Sequence, residues 1–210
     1  MKIIQLDQKS QDWLDWRRTG VGASDAPIIL GLSPYKKPHT LWEEKCGIKQ
    51  PRPFSAFLEE RAKKVEDAAR ATLELESGHS YPPLCAEDEN FPWLHVSFDG
   101  YCEEIKMIME AKYVGMGKQF GKIPASHWVQ MQYQMFIAHT DKCIYMRSND
   151  GVNFPSILVV SDAKYQSMMM EEIHKFWKAV MDTKEVPNER RPAGWKSKVE
   201  LPEGVGYDTV

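Results

Sequence analysis

The stretch VSFDGYCEEIKMIMEAKY places Asp99, then ten residues, then Glu110-Ala111-Lys112. Side chains alternate faces along a strand, so Glu110 and Lys112 point the same way about 7 Å apart. Residues 93–102 and 105–114 read as the two strands of a hairpin, which would bring Asp99 alongside them. Two converging carboxylates make a hard oxygen site suited to Mg²⁺ or Mn²⁺ rather than to zinc. A lysine beside them could position a water and take its proton, or steady charge growing on a phosphate. The same residues also allow a plainer reading, in which Asp99-Gly100 is only a turn and Glu-x-Lys a weak surface ion pair.

Two other groups of residues bear on the same chemistry. Trp13 and Arg17 are followed by Ala23-Ser24, and Ser24 reads as the cap of a short helix, SDAPIILG. A helix N-terminus favours anions, and Arg17 offers a fork of donors. His127, Gln130 and Gln134 fall at i, i+3 and i+7, a polar stripe on an otherwise apolar helix that would face the carboxylates.

The elements that must position these groups form a mixed α/β chain. Ser10 caps a first helix anchored by Trp13, Leu14 and Trp16, and a short helix fits residues 40–47. Residues 51–54 connect to a long amphipathic helix, Phe54 to Ser77, with Phe57, Leu58, Ala62, Val65, Ala69 and Leu73 on its apolar face and Gly78 as its stop. After the hairpin, a glycine-rich loop (residues 115–122) leads to a helix over 126–139. Strands CIYMRSN and PSILVVS follow, then a helix over 162–182 with Tyr165, Met169, Ile173, Phe176, Trp177 and Val180 as its core stripe. The expectation is one domain over residues 1–186, a small central sheet flanked by helices, with a polar tail or arm over 187–210.

Composition narrows the classes. The 210 residues carry 27 Lys and Arg against 30 Asp and Glu, a net charge of −3, which argues against coating DNA with a broad basic face. Confined binding stays open, because local clusters exist at Arg17-Arg18, Lys36-Lys37, Arg61 to Lys64 and Lys112 to Lys122. The four cysteines (46, 85, 102, 143) are scattered, which suits buried thiols in a reducing compartment better than a zinc site. No membrane span or secretory leader is read, and a cytoplasmic location in a bacterial host is expected.

Taken together, the four patches resemble the lambda-exonuclease type of phage alkaline exonuclease, within the restriction-endonuclease-like nuclease superfamily. They are Trp13-x₃-Arg17 with Ala23-Ser24, residues 66–78, Ser97-Phe98-Asp99-Gly100 with Glu110-Ala111-Lys112, and WVQMQYQMF. By that resemblance Arg17, Ser24 and Ser97 would bind the 5′-phosphate of a DNA end. Glu66, Asp99, Glu110, Lys112 and Gln130 would form the active site. Asp99 would bridge two Mg²⁺ ions, with Glu110 and the Ala111 carbonyl holding one. Phe98 stands where the family has proline, and His127 where it has tyrosine. The implied activity is 5′-to-3′ digestion of one strand of linear duplex DNA to mononucleotides, leaving a 3′ overhang for recombination. A homotrimeric ring and a phage single-strand annealing partner are implied with it. An endonuclease or junction resolvase on the same core, and a non-catalytic DNA-binding protein, are the competing readings. The iron–sulfur nuclease branch is disfavoured, since its cysteine cluster is missing.

Overall fold

The computed structural model describes residues 1–52, 55–115 and 121–184. The predicted tail over 187–210, most of the glycine-rich loop and the start of the connector's exit (Pro53, Phe54) lie outside those residues.

Chain order is β1 (Lys2–Ile4), α1 (Gln11–Arg18), β2 (Val21–Gly22), α2 (Ala26–Ile29), α3 (Pro38–Lys45), α4 (Ala56–Ser77), β3 (Leu84–Glu87), β4 (Leu94–Phe98), β5 (Gly100–Cys102), β6 (Met107–Tyr113), α5 (Ala125–Ala138), β7 (Lys142–Ser148), β8 (Ser156–Val160) and α6 (Ala163–Lys184). The α/β expectation holds, but the sheet comes in two parts, ordered β1-β3-β4-β2 and β5-β6-β7-β8. Pairing is mixed in both: β2–β4 and β6–β7 run parallel, the rest antiparallel.

The break between the sheets falls at Asp99. The continuous strand expected over 93–102 ends at Phe98 in one sheet and restarts at Gly100 in the other. Gly100 is therefore the first residue of β5 rather than part of a free turn. A Cβ there would lie 2.9 Å from the Tyr81 carbonyl oxygen, so only glycine lets the two segments pass this closely.

Side-chain alternation on β6 then decides what faces what. Met109 and Ala111 join Ala69 and Leu73 of α4 in one core cluster, whereas Ile108 joins the larger core built on α2, α5 and α6. Glu110 and Lys112, in phase with Ile108, are thus on the α5 side of the sheet. The predicted stripe on α6 is buried as expected, from Tyr165 through Val180. On α4 only the later part of the predicted face is buried: Val65, Ala69 and Leu73 are core, while Phe57 is 63% exposed and Leu58 is exposed too. Apolar packing against β6 begins farther along the helix, at Ala69 and Leu73, while near its start the contact is polar, with Arg61 5.2 Å over the Tyr113 ring. Gly78 ends the helix in the left-handed conformation, as read.

Ser10 caps α1 by accepting from the Trp13 N–H at 3.1 Å. Ser24 does not cap α2. Asp25 holds that position, and its carboxylate turns back to accept from the Gly22 N–H at 3.0 Å. Residues 23–25 form a turn before a helix of four residues, too short to present the N-terminal anion site expected of Ser24. All four cysteines are free thiols, three of them buried. Among the described residues no helix is long and apolar enough to cross a membrane.

Candidate active site

The antiparallel register Gly100↔Met109 brings Asp99 opposite Glu110, as the hairpin reading requires. The Asp99 carboxylate accepts from the Ala111 N–H at 2.9 Å. Its backbone is pinned on both sides. Gln8 donates to the Phe98 carbonyl at 2.9 Å, and Arg70 Nε donates to the Asp99 carbonyl at 3.1 Å.

Glu110 is fully buried, with 0% of its surface exposed. A carboxylate so placed needs partners. Gln130 donates to its Oε1 at 2.7 Å, Gln134 donates to its Oε2 at 2.6 Å, and Lys112 forms an ion pair with Oε1. The polar stripe of α5 therefore does meet the carboxylates, but through two glutamines only. His127 turns instead to the Tyr145 hydroxyl, 2.6 Å away. Burial and the nearby Lys112 charge lower its pKa to about 3, so it is neutral.

Electrostatics at this end are unbalanced. Burial first, and Glu110 second, push the Asp99 carboxyl well above the usual carboxylate range, with Glu66 adding to the effect. Burial alone would draw Lys112 toward its neutral form, yet Glu110 and Asp99 outweigh it and hold the ammonium form above its ordinary range. Lys112 is here a charge-bearing group rather than a ready base.

The other expected site residues share one cleft with Asp99. It encloses about 590 Å³, counting the space at its mouth, and its walls include Arg17, Ser24, Ser97, Glu66, Asp99 and Gln130. Arg17 donates to the Ser24 hydroxyl at 2.7 Å and lies 4.7 Å over the Trp13 ring. Trp13 Nε1 in turn donates to Ser97 Oγ at 2.8 Å. Beneath them Lys45 pairs with Asp25 at 2.8 Å, both nearly buried, and also donates to the Arg17 carbonyl at 2.8 Å. Burial pushes the Asp25 pKa up, but Lys45 and Arg17 outweigh it, so the carboxyl sits below its usual range and is charged. Gln8, Arg70, Lys45 and Asp25 escaped the sequence reading. Each acts across a long separation that no local spacing encodes.

Among the described residues no group of three or more His, Cys, Asp or Glu side chains is placed to hold a metal ion. Glu66 is turned to Lys9, 3.1 Å away. The carboxylates of Asp99 and Glu110 remain as the facing oxygen donors. Those all-oxygen donors, with the repulsion between Asp99 and Glu110 only partly met by Lys112, fit a hard divalent cation such as Mg²⁺.

Residues 12–141 match the YqaJ-like viral recombinase domain. The chain belongs to that family. Every expected site residue, from Arg17 to Gln130, falls inside the matched span. Among curated relatives of this YqaJ-like chain, the uncharacterized protein YqaJ of Bacillus subtilis (strain 168) is 30% identical over 138 residues, covering 61% of this chain and 42% of that protein. The uncharacterized protein R354 of Acanthamoeba polyphaga mimivirus is 26% identical over 164 residues, covering 70% and 30%. The chain thus spans less than half the length of the curated relatives it matches. Of solved structures, the alkaline exonuclease LHK-Exo from Laribacter hongkongensis superposes with a TM-score of 0.69 at 17% identity, covering 84% of this chain and 95% of that one. A phage-related exonuclease from Haemophilus somnus 129PT gives 0.57 at 12%, covering 79% and 93%. At this identity the likeness is one of fold, and it bears out the alkaline-exonuclease architecture.

Proposed function

We propose that this YqaJ-like domain is a Mg²⁺-dependent exonuclease that digests one strand of linear duplex DNA from its 5′ end to mononucleotides, leaving a 3′ overhang for recombination. The observation that carries this reading is the single cleft that joins Arg17, Ser24 and Ser97 to Glu66, Asp99 and Gln130. A 5′-phosphate held at the first three would place the adjoining phosphodiester against the second group. The likeness of fold to two exonucleases supports the same reaction class.

Asp99, Glu110 and the Ala111 carbonyl would hold Mg²⁺, and Mn²⁺ could substitute. Two such ions, when bound, activate water and offset charge on the phosphate and leaving oxygen. Gln130 and Gln134 fix Glu110, and the Ala111 N–H fixes Asp99, so the donors are aimed before substrate arrives. Arg17 binds the terminal phosphate through its guanidinium, with the Ser24 and Ser97 hydroxyls as further donors. Lys112 offers its ammonium to the scissile phosphate. It can serve as the base only once Glu110 and Asp99 no longer hold its proton, which places the rate optimum above neutral pH.

This reading includes a homotrimeric ring around DNA and a phage single-strand annealing protein as partner. The net charge of −3 supports confinement over broad electrostatic binding. A light-scattering mass near 24 kDa at assay concentration would remove the ring.

The test is degradation of linear duplex DNA with 5′-phosphate or 5′-hydroxyl ends, in Mg²⁺, by the native protein and Lys112→Ala. Mononucleotide release that prefers the 5′-phosphate and vanishes in the variant is expected. Cutting of covalently closed circles would replace the exonuclease by an endonuclease, and absence of metal-dependent cleavage would leave a DNA-binding protein.

A further inference from the structure

Lys9 sits in the cleft, just outside the span matched by the family domain, and its backbone is in the left-handed region at φ 72°. Only two other described non-glycine residues share positive φ, Lys106 and His139. That conformation costs an L-residue on the order of tenfold in the folding equilibrium, a cost that glycine does not bear. The contact Lys9 makes in return is an ion pair with Glu66 at 3.1 Å, with 40% and 23% of the two side chains exposed. A pair this open to water returns only about a factor of two to five. The ion pair with Glu66 therefore does not by itself offset the backbone cost, which directs attention to what the ammonium does in the cleft.

We infer that Lys9 is a phosphate-binding residue of the cleft, parked on Glu66 when DNA is absent and transferred to a backbone phosphate when DNA enters. Several observations converge on this role. Of the other cations at the site, Lys112 is engaged by Glu110 and Arg17 by Ser24 at the far group of residues. Glu66 lines the cleft, so its carboxylate would otherwise meet an incoming polyanion with like charge. The neighbouring Gln8 is anchored to the Phe98 carbonyl, and Ser10 caps α1, so the base of the Lys9 side chain is fixed while its end is free to change partner. Release of Lys9 also frees the Glu66 carboxylate, so substrate entry and the arming of an active-site residue become one event.

This inference rests on the proposed DNA-processing role, and its test separates the two. Equilibrium binding of a 5′-phosphorylated duplex is measured in EDTA across a salt series for the native protein, Lys9→Gly and Lys9→Arg, alongside thermal melts. Lys9→Gly should raise Tm by about 1–4 °C, weaken binding roughly tenfold and reduce the slope of log K against log [salt] by about 1. Lys9→Arg should restore slope and affinity without the gain in Tm. An unchanged slope in Lys9→Gly would overturn the phosphate contact while leaving the DNA role intact. Failure of the native protein to bind any DNA would overturn both.

Discussion

Around Arg17 and Ser24 charge is answered by neighbours. Asp25 meets Lys45, Lys45 reaches the Arg17 carbonyl, and Arg17 reaches Ser24. Around Asp99 it is less so: among the described residues the carboxylates of Glu66 and Glu110 are paired with Lys9 and Lys112, and Asp99 has no ion pair of its own. One end of the cleft is a hydrogen-bonded socket in which two cations share one buried carboxylate. The other holds surplus negative charge in a buried place, a state that costs stability until something positive arrives. The contrast separates recognition from chemistry: mutations at the first end should change which DNA is used, and those at the second should change whether anything happens at all.

Asp99→Asn gives the largest effect and the strongest test. Cleavage in Mg²⁺ should fall by at least about 10²–10³-fold, while the melting temperature in EDTA should rise, because the buried repulsion with Glu110 is gone. A fall in Tm would show that the surplus charge is imaginary. Next comes Lys45→Met, which strands the Asp25 carboxylate without its partner. Breaking a buried pair this way costs about 3–5 kcal/mol, read as a drop of roughly 6–20 °C in Tm. A drop under about 2 °C would mean that the socket does not depend on the pair. Arg17→Ala should reduce preference for 5′-phosphate over 5′-hydroxyl ends by about 10–100-fold and shift Tm little, since its bond to Ser24 is exposed.

The smallest effect is a pH dependence. Because the folded-state pKa of Asp99 is raised, its contribution to stability is fully present below about pH 4, the value of the unfolded chain, and is lost as pH rises through the raised value. Melts in EDTA from pH 4 to 8 should therefore show a decline that Asp99→Asn flattens. Millimolar Mg²⁺ should restore stability more at pH 8 than at pH 5. Equal restoration at both would uncouple Asp99 from the ion.

The catalytic skeleton was legible in the sequence because it is local: Glu110 and Lys112 share a face through strand period alone, and Asp99 lies one antiparallel turn away. The glutamines were legible through helix period. The strand break at Asp99 was not, because Phe98 and Gly100 continue an apolar alternation that says nothing about a change of sheet. Strands β1, β2 and β3 went unread, being only two to four residues long and too short to show a period. Ser24 was misplaced as a cap since Ser and Asp are equally good caps in sequence, and only the turn at 23–25 tells them apart. Phe57 and Leu58 kept the helical pattern but stay exposed, with the Arg61 guanidinium 5.4 Å over the Phe57 ring. Lys9 gave no signal, because its left-handed turn, closed by the Ser10 N–H donating to the Asp7 carbonyl at 3.1 Å, carries no glycine to mark it, and its partner Glu66 lies 57 residues away.

The pinning of the backbone at Asp99 has a mechanical consequence. Two hands hold it, Gln8 from the N-terminal segment and Arg70 from α4, each on a carbonyl beside the residue. Its rotamer is chosen during folding, so little entropy is left to lose when a ligand arrives. The same arrangement makes it brittle. Gln8 lies in the short segment between β1 and α1, and loosening that segment alone would release one hand while the strands stay paired. Gln8→Ala should therefore lose activity on mild heating well before it loses its fold.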